Sequence, residues 1–294
     1  MAAASVLARS LGDDARTRLA LFASRRRELD LGDGTPWVAE PLERLPLTPH
    51  DVLVHYAYVT AEYAATMGVD AYVRANTQIS ATVVDAIARQ RPAAVVVASS
   101  GAVYGPGRAL VSDVEASPYG VLKRLDELTL RTAARDAGAR SLVLRVFNVS
   151  GAWLRKPDAF AIADLLSQAA TGDAVRIRAD RPVLRSYVDV EDLARVAVGF
   201  GADPAAGDDL VLDTAGERVV EMDDIARAAR VAVGRPGLPI ARTWDPDAAP
   251  STYVGDGDGL RALAGRVGVT LRDFDAQVAA TAAWMGVARA PLSP

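Results

Sequence analysis

Residues 93–98, Ala-Ala-Val-Val-Val-Ala, form an unbroken apolar and largely β-branched run that ends on Ser99-Ser100. A run with no polar alternation is a strand buried on both faces, and such strands belong inside parallel sheets covered by helices on either side. Ligands of these sheets bind beyond the carboxyl ends of the strands, which is where Ser99 and Ser100 fall. A glycine-rich turn follows, and Ser117-Pro118 then opens a helix, with serine suited to the N-cap and proline to the first helical position. Tyr119 and Lys123 stand at i and i+4 on that helix and share one face. An ammonium beside a phenol favours the phenolate, so Lys123 is expected to lower the Tyr119 pKa from about 10. A tyrosine tuned in this way exchanges a proton with a carbinol oxygen near neutral pH. Ser100 is placed to hold the same oxygen.

The flanking pattern alternates between strands and helices, which implies an α/β doubly wound parallel sheet. A helix is expected over 2–12, ending on Gly12, and a strand over 17–23. A strand at 52–57 and a long helix at 71–89 come next. After the strand at 93–98, the Tyr119 helix runs to about 137, where Gly138 stops it, and a strand follows at 141–147. Beyond Gly151 the pattern is less regular, with helices at 158–171, from Glu191, at 221–234 and at 272–285. Short strands are expected at 174–178, 185–190 and 210–213.

Composition removes several classes of function. With 294 residues, half of them hydrophobic, the chain can build one large domain or two small ones. The net charge is −4 with no block of like charge, so neither a nucleic-acid nor a membrane surface is expected. There is no cysteine, which excludes disulfides and thiol catalysis. No signal-peptide pattern or bilayer-length apolar stretch is present, so a cytoplasmic protein is expected. The two histidines, His50 and His55, are too few for a metal site, and His55 is expected to pack in the core.

Ser100-Gly101-Ala102-Val103-Tyr104-Gly105, followed by Ser117-Pro118-Tyr119-Gly120-Val121-Leu122-Lys123, resembles the extended short-chain dehydrogenase/reductase family. That family includes nucleotide-sugar epimerases, dehydratases and ketoreductases. The resemblance covers almost the whole chain. Asn76 stands where the family has an asparagine in the helix behind the active-site strand. Leu144 to Gly151 resembles the strand leading to the substrate domain, where Asn148 would contact the substrate diphosphate. Arg185 to Asp192 resembles the segment whose arginine grips that diphosphate, a task suited to a planar guanidinium fork. Residues 152–187, with Lys156-Pro157 and Arg181 to Tyr187, most resemble epimerase/dehydratase members of surface-polysaccharide and sugar-modification pathways. The implied organisation is a Rossmann-like dinucleotide domain from 1–150 and 183–234, with a smaller C-terminal substrate lobe from 151–182 and 235–294. A homodimer through the helices at 71–89 and 118–137 is implied as well.

The resemblance also implies roles. Ser100, Tyr119 and Lys123 would be catalytic, with Tyr119 as proton donor and Lys123 also holding the nicotinamide ribose. Ser24, Arg25 and Arg26, with Tyr56 and Ala57 after the strand at 52–57, would bind the cofactor. Tyr104 would line the sugar pocket or pack under its loop. The family's second strand ends on a carboxylate when NAD is bound; here it ends Phe22-Ala23-Ser24-Arg25-Arg26, so NADP is expected, with NAD as the alternative. The family usually opens with a strand and a GxxGxxG turn that cradles the cofactor pyrophosphate. Met1 to Ala8 resembles the helix after that turn, so strand and turn are expected to lie upstream of Met1 or to have been lost, and the dinucleotide to bind weakly to this form. Dehydratases place an Asp-Glu pair after the serine, whereas this chain has Gly101-Ala102, which disfavours elimination. A nucleotide-sugar ketoreductase is the principal expectation. An epimerase with tightly held NAD, or a non-redox binding or regulatory protein on the same scaffold, are the alternatives.

Overall fold

The computed structural model describes residues 2–153, 160–245 and 247–288. Lys156-Pro157 and the start of the helix expected from 158 lie outside them. Four parallel strands make the central sheet: β4 (Val52–His55), β5 (Ala94–Ser100), β6 (Arg140–Val146) and β10 (Asp209–Asp213), in the order β10-β6-β5-β4. The unbroken run in β5 has the expected cause. Val95 and Val97 face a core with Val83 and Ile87 of helix α4 (Val69–Gln90) and Leu130 of α5 (Pro118–Asp136). Ala94 and Val96 face the opposite core with Phe200 of α7 (Val190–Ala202) and Leu260 of α9 (Asp258–Arg266). Both faces of the strand are covered, so no position along it has reason to be polar.

A second, three-stranded sheet has the order β1-β3-β2, from β1 (Leu21–Ala23), β2 (Arg27–Leu29) and β3 (Trp37–Pro41). Helix α1 (Ala2–Leu11) packs on it together with the turn α2 (Ala15–Arg18). The strand expected over 17–23 is therefore shortened, because its first residues close that helical turn. Among the described residues β1 and β4 are edge strands of their two sheets, each paired on one side, while Phe22 and Leu53 share one core.

The third layer is centred on β9 (Val183–Asp189). It pairs with β7 (Asn148–Ser150) and β13 (Ser251–Tyr253) in parallel and with β11 (Val219–Glu221) antiparallel. Alongside, β8 (Val175–Ile177) pairs with β12 (Ile240–Arg242). Helices α6 (Ala161–Thr171), α8 (Met222–Ala232) and α10 (Phe274–Trp284) enclose its core through Ile162, Ile225 and Val278. In this pairing β9, β11 and α8 pack in the core of the third layer, and α9 packs on the central sheet. The one-turn helix α3 (Ala64–Met67) precedes α4. Among the described residues no helix is long and apolar enough to cross a membrane.

Helix α5 starts on Pro118 as expected, but the Ser117 side chain makes no capping bond. What seats the helix is Gly120. A Cβ there would stand 2.1 Å from the carbonyl oxygen of Ala102, in the turn after β5. The bare backbone lets Tyr119 approach the end of β5. Gly120→Ala is expected to lower stability by ~1–3 kcal/mol, the scale of overpacking, read as a lower midpoint of thermal or urea unfolding. An alanine variant as stable as the parent contradicts this packing.

Candidate active site

The floor of the site is a buried ion pair. In the β5/β6 register Ser99 lies opposite Arg145. Arg145 donates from Nε to Glu127 Oε1 at 2.9 Å and from Nη2 to Oε2 at 2.7 Å, and Ser99 Oγ donates to Oε1 at 2.6 Å. The remaining Arg145 amino group donates to the Tyr104 hydroxyl at 2.5 Å, which itself donates to Asp213 Oδ1 at 3.0 Å. Arg108 closes the chain on the other Asp213 oxygen. The Tyr104 ring stacks on Phe147. The Tyr104 hydroxyl is thus committed on both sides, accepting one bond and donating the other.

Above this floor Ser100, Tyr119 and Lys123 converge as expected. Ser100 Oγ accepts the Ala102 N–H at 3.1 Å, and the Ser100 hydroxyl lies close enough to the phenols of Tyr119 and Tyr253 to favour the ionised form of each. Lys123 is buried, and its Nζ donates to the Ala98 carbonyl at 2.9 Å. The ammonium also lies 3.6 Å from the ring centre of Tyr58, whose ring meets Tyr119 edge-on.

The electrostatics correct one expectation. Burial raises the Tyr119 pKa above its ordinary value; the Ser100 hydroxyl offsets part of this and Asp126 adds to it. Lys123 is not what dominates, because burial pushes the ammonium itself down to about 8, with Asp126 and Glu127 holding it up. His55 is buried, and burial together with Lys123 drives it down to about 3, so it is the packed neutral histidine expected.

Tyr253 was not legible in the sequence. It sits in the three-residue strand β13, and pairing with β9 sets it opposite Arg185. Arg185 donates to the Ser251 carbonyl at 2.8 Å and lines a cavity of about 290 Å³ with Arg176, Arg178, Asp164 and Tyr187. Neither Tyr119 nor Tyr253 lines that cavity. The Asn148 amide donates to the carbonyls of Ser186 and Tyr253 at 3.1 and 3.2 Å. Its amide N–H groups therefore clamp β7 to its neighbours.

On the cofactor side, Ser24, Arg25 and Arg26 form an exposed turn after β1, and Arg26 reaches Glu40 of β3 at 3.4 Å. Tyr56 is exposed at the end of β4, whereas Ala57 packs into the core beneath it. The donor set of a phenol, an ammonium and a serine hydroxyl at one strand edge suits a ribose diol and a carbinol. The described residues thus fit the nicotinamide end of a dinucleotide.

A family model described as the NAD dependent epimerase/dehydratase family matches residues 7–212. The chain belongs to that family. Among curated relatives of this epimerase/dehydratase chain, UDP-glucose 4-epimerase of Azospirillum brasilense is 32% identical over 200 residues, 59% of this chain and 57% of that protein. UDP-glucose 4-epimerase of Mycoplasma genitalium is 33% identical over 113 residues, 35% of this chain and 33% of that protein. The matched region spans less than two thirds of either relative. The crystal structure of UDP-glucose 4-epimerase from Brucella ovis in complex with NAD superposes with a TM-score of 0.71 at 22% identity, over 96% of this chain and 95% of that one. UDP-N-acetylglucosamine 4-epimerase from Bacillus cereus gives 0.68 at 16% identity, over 98% and 94%. These likenesses establish the shared fold.

Within this family member, Gly101 leaves no room for a carboxylate. A Cβ at that position would lie 2.6 Å from the Phe147 ring, in keeping with the expected lack of an elimination pair. The floor is the part of the site most exposed to mutation. Glu127→Ala leaves Arg145 largely buried without its counter-charge and is expected to cost ~3–5 kcal/mol, the range for breaking a buried pair. Chemical denaturation measures it, and a loss below about 1 kcal/mol, the scale of an exposed pair, contradicts the assignment.

Proposed function

We propose that this protein is a nucleotide-sugar epimerase acting at a carbinol carbon of a nucleoside-diphosphate hexose, most simply the C4 of a UDP-hexose. The observation that supports this reading is a line of groups running Ser100 and Tyr119, then Tyr253, then Arg185, then the cavity beyond it. Its order matches a ligand with a reactive sugar, an anionic middle and a nucleoside end. A ketoreductase would use the same residues; the names of the curated relatives favour epimerisation.

In this reading Tyr119, a neutral phenol in the free protein, acts as the phenolate once cofactor and sugar are bound: it takes the proton of the sugar hydroxyl and later gives it back. Ser100 holds the sugar oxygen in line with the phenol. Lys123, when protonated, offsets the negative charge that forms on Tyr119. Arg185 grips the diphosphate, and Tyr253 closes the space between Ser100 and Arg185. Lys123 and Tyr119, with Tyr56 at the edge, would hold the nicotinamide end of the cofactor, which when bound accepts and returns the hydride of the carbinol carbon. Arg25 and Arg26 are both exposed at this turn; the Brucella ovis relative is in complex with NAD, so we read the cofactor as NAD. Leu125 and Leu128 are exposed on α5 and suit a second copy of the chain.

Supplied with NAD, the protein is expected to interconvert UDP-glucose and UDP-galactose with no net formation of reduced cofactor. Tyr119→Phe should lower turnover by about 10²–10⁴, the usual range for a general acid or base, with nucleotide-sugar affinity preserved. Arg185→Ala should weaken the nucleotide sugar and leave NAD affinity unchanged in calorimetric titration. A Tyr119→Phe protein with full turnover would falsify the reading.

A further inference from the structure

One buried carboxylate beside the site has no part in the reaction described so far. Asp126 follows Lys123 by one helical turn on α5 and is buried. Its Oδ1 accepts the Ser80 hydroxyl from α4, while its Oδ2 is buried with no hydrogen-bond partner among the described residues. Burying a carboxylate without a cation is costly.

The surrounding charges narrow the choice of counter-ion. On α5 itself, Glu127 has both oxygens taken by Arg145 and one also by Ser99, so that anion is already matched. From β4, His55 is neutral, held down to about 3 mainly by burial. From α4 and the segment after β4, Tyr72 and Tyr58 are pushed upward, mainly by burial, and stay neutral phenols, as does Tyr119. Lys123 bonds only the neutral Ala98 carbonyl and the Tyr58 ring face. What remains is one buried cation and one buried anion on the same face of one helix.

We propose that Asp126 is the counter-charge of Lys123, a positioning residue that keeps the ammonium protonated and thereby sets the upper pH limit of proton exchange at Tyr119. The sign follows from the charges. With Asp126 ionised, Lys123 holds its proton to higher pH; without that charge, burial wins and the proton leaves earlier. Asp126 also raises the Tyr119 pKa directly. Its net benefit therefore falls where Lys123 would otherwise be neutral, on the alkaline side. The inference rests on the proposed function only for the use made of Lys123; the charge pairing is testable without any substrate.

The chain has two lysines, Lys123 and Lys156. Protein labelled with carbon-13 at the lysine Cε gives two signals, told apart with Lys156→Arg. The expected result is a Lys123 titration midpoint lower by about one pH unit or more in Asp126→Asn, the scale of a nearby opposite charge. Asp126→Ser, which also removes the charge but keeps a hydroxyl near Ser80, should move the midpoint the same way, and it carries the test alone if Asp126→Asn does not fold. With substrate, the alkaline limb of the kcat profile should move toward acid by the same amount in each variant. An unchanged Lys123 midpoint in the folded variants, as a carboxyl already neutral would give, overturns the proposal.

Discussion

The bidentate pair of Glu127 and Arg145 is the interaction on which the rest of the site depends. Arg145 comes from β6, Glu127 from α5, and Ser99, which also bonds Glu127, from β5. One pair therefore ties β6 to β5 and α5, the two elements that carry Ser100, Tyr119 and Lys123. Buried ion pairs contribute little net stability compared with apolar packing, but they punish any arrangement that separates their charges. Here that penalty fixes the height and rotation of α5 against the ends of β5 and β6. Gly120 permits the close approach at the start of α5, and the ion pair holds it two turns further on.

The same logic extends outward along one row of polar groups. Arg145 reaches Tyr104, Tyr104 reaches Asp213, and Asp213 receives Arg108 and the backbone N–H of Asp256. This row anchors the turn after β5 to β10 and to the segment just after β13. Tyr253 ends β13, so the residue beside Ser100 is held by the chain that also holds the floor. The smaller lobe is thereby coupled to the central sheet through side chains.

The elements legible in the sequence were those whose signal is local. The β5 run shows its burial residue by residue, and Tyr119 and Lys123 share a helix face whatever the rest of the chain does. Tyr253 was not legible, because a three-residue strand has no periodicity and its position comes from pairing with β9, about 70 residues away in sequence. No local pattern marks Glu127, Arg145 and Asp126, and only their partners across three elements show them to be buried. The effect of Lys123 on Tyr119 was misjudged for a related reason: spacing gives proximity, but burial of both groups decides their protonation. The split of the segment 183–234 between two cores also depends on strand pairing that alternation alone does not reveal.

The most direct measurement of the account is the fate of the hydrogen on the reacting carbon. UDP-galactose carrying deuterium at C4 is incubated with the protein and NAD, and the UDP-glucose formed is examined by mass spectrometry and NMR. Removal and return of one hydride within one bound sugar predicts that the label stays at C4 of the product, with none in solvent. Loss of the label to water, or its recovery in free reduced cofactor, would contradict epimerisation at the Tyr119 site.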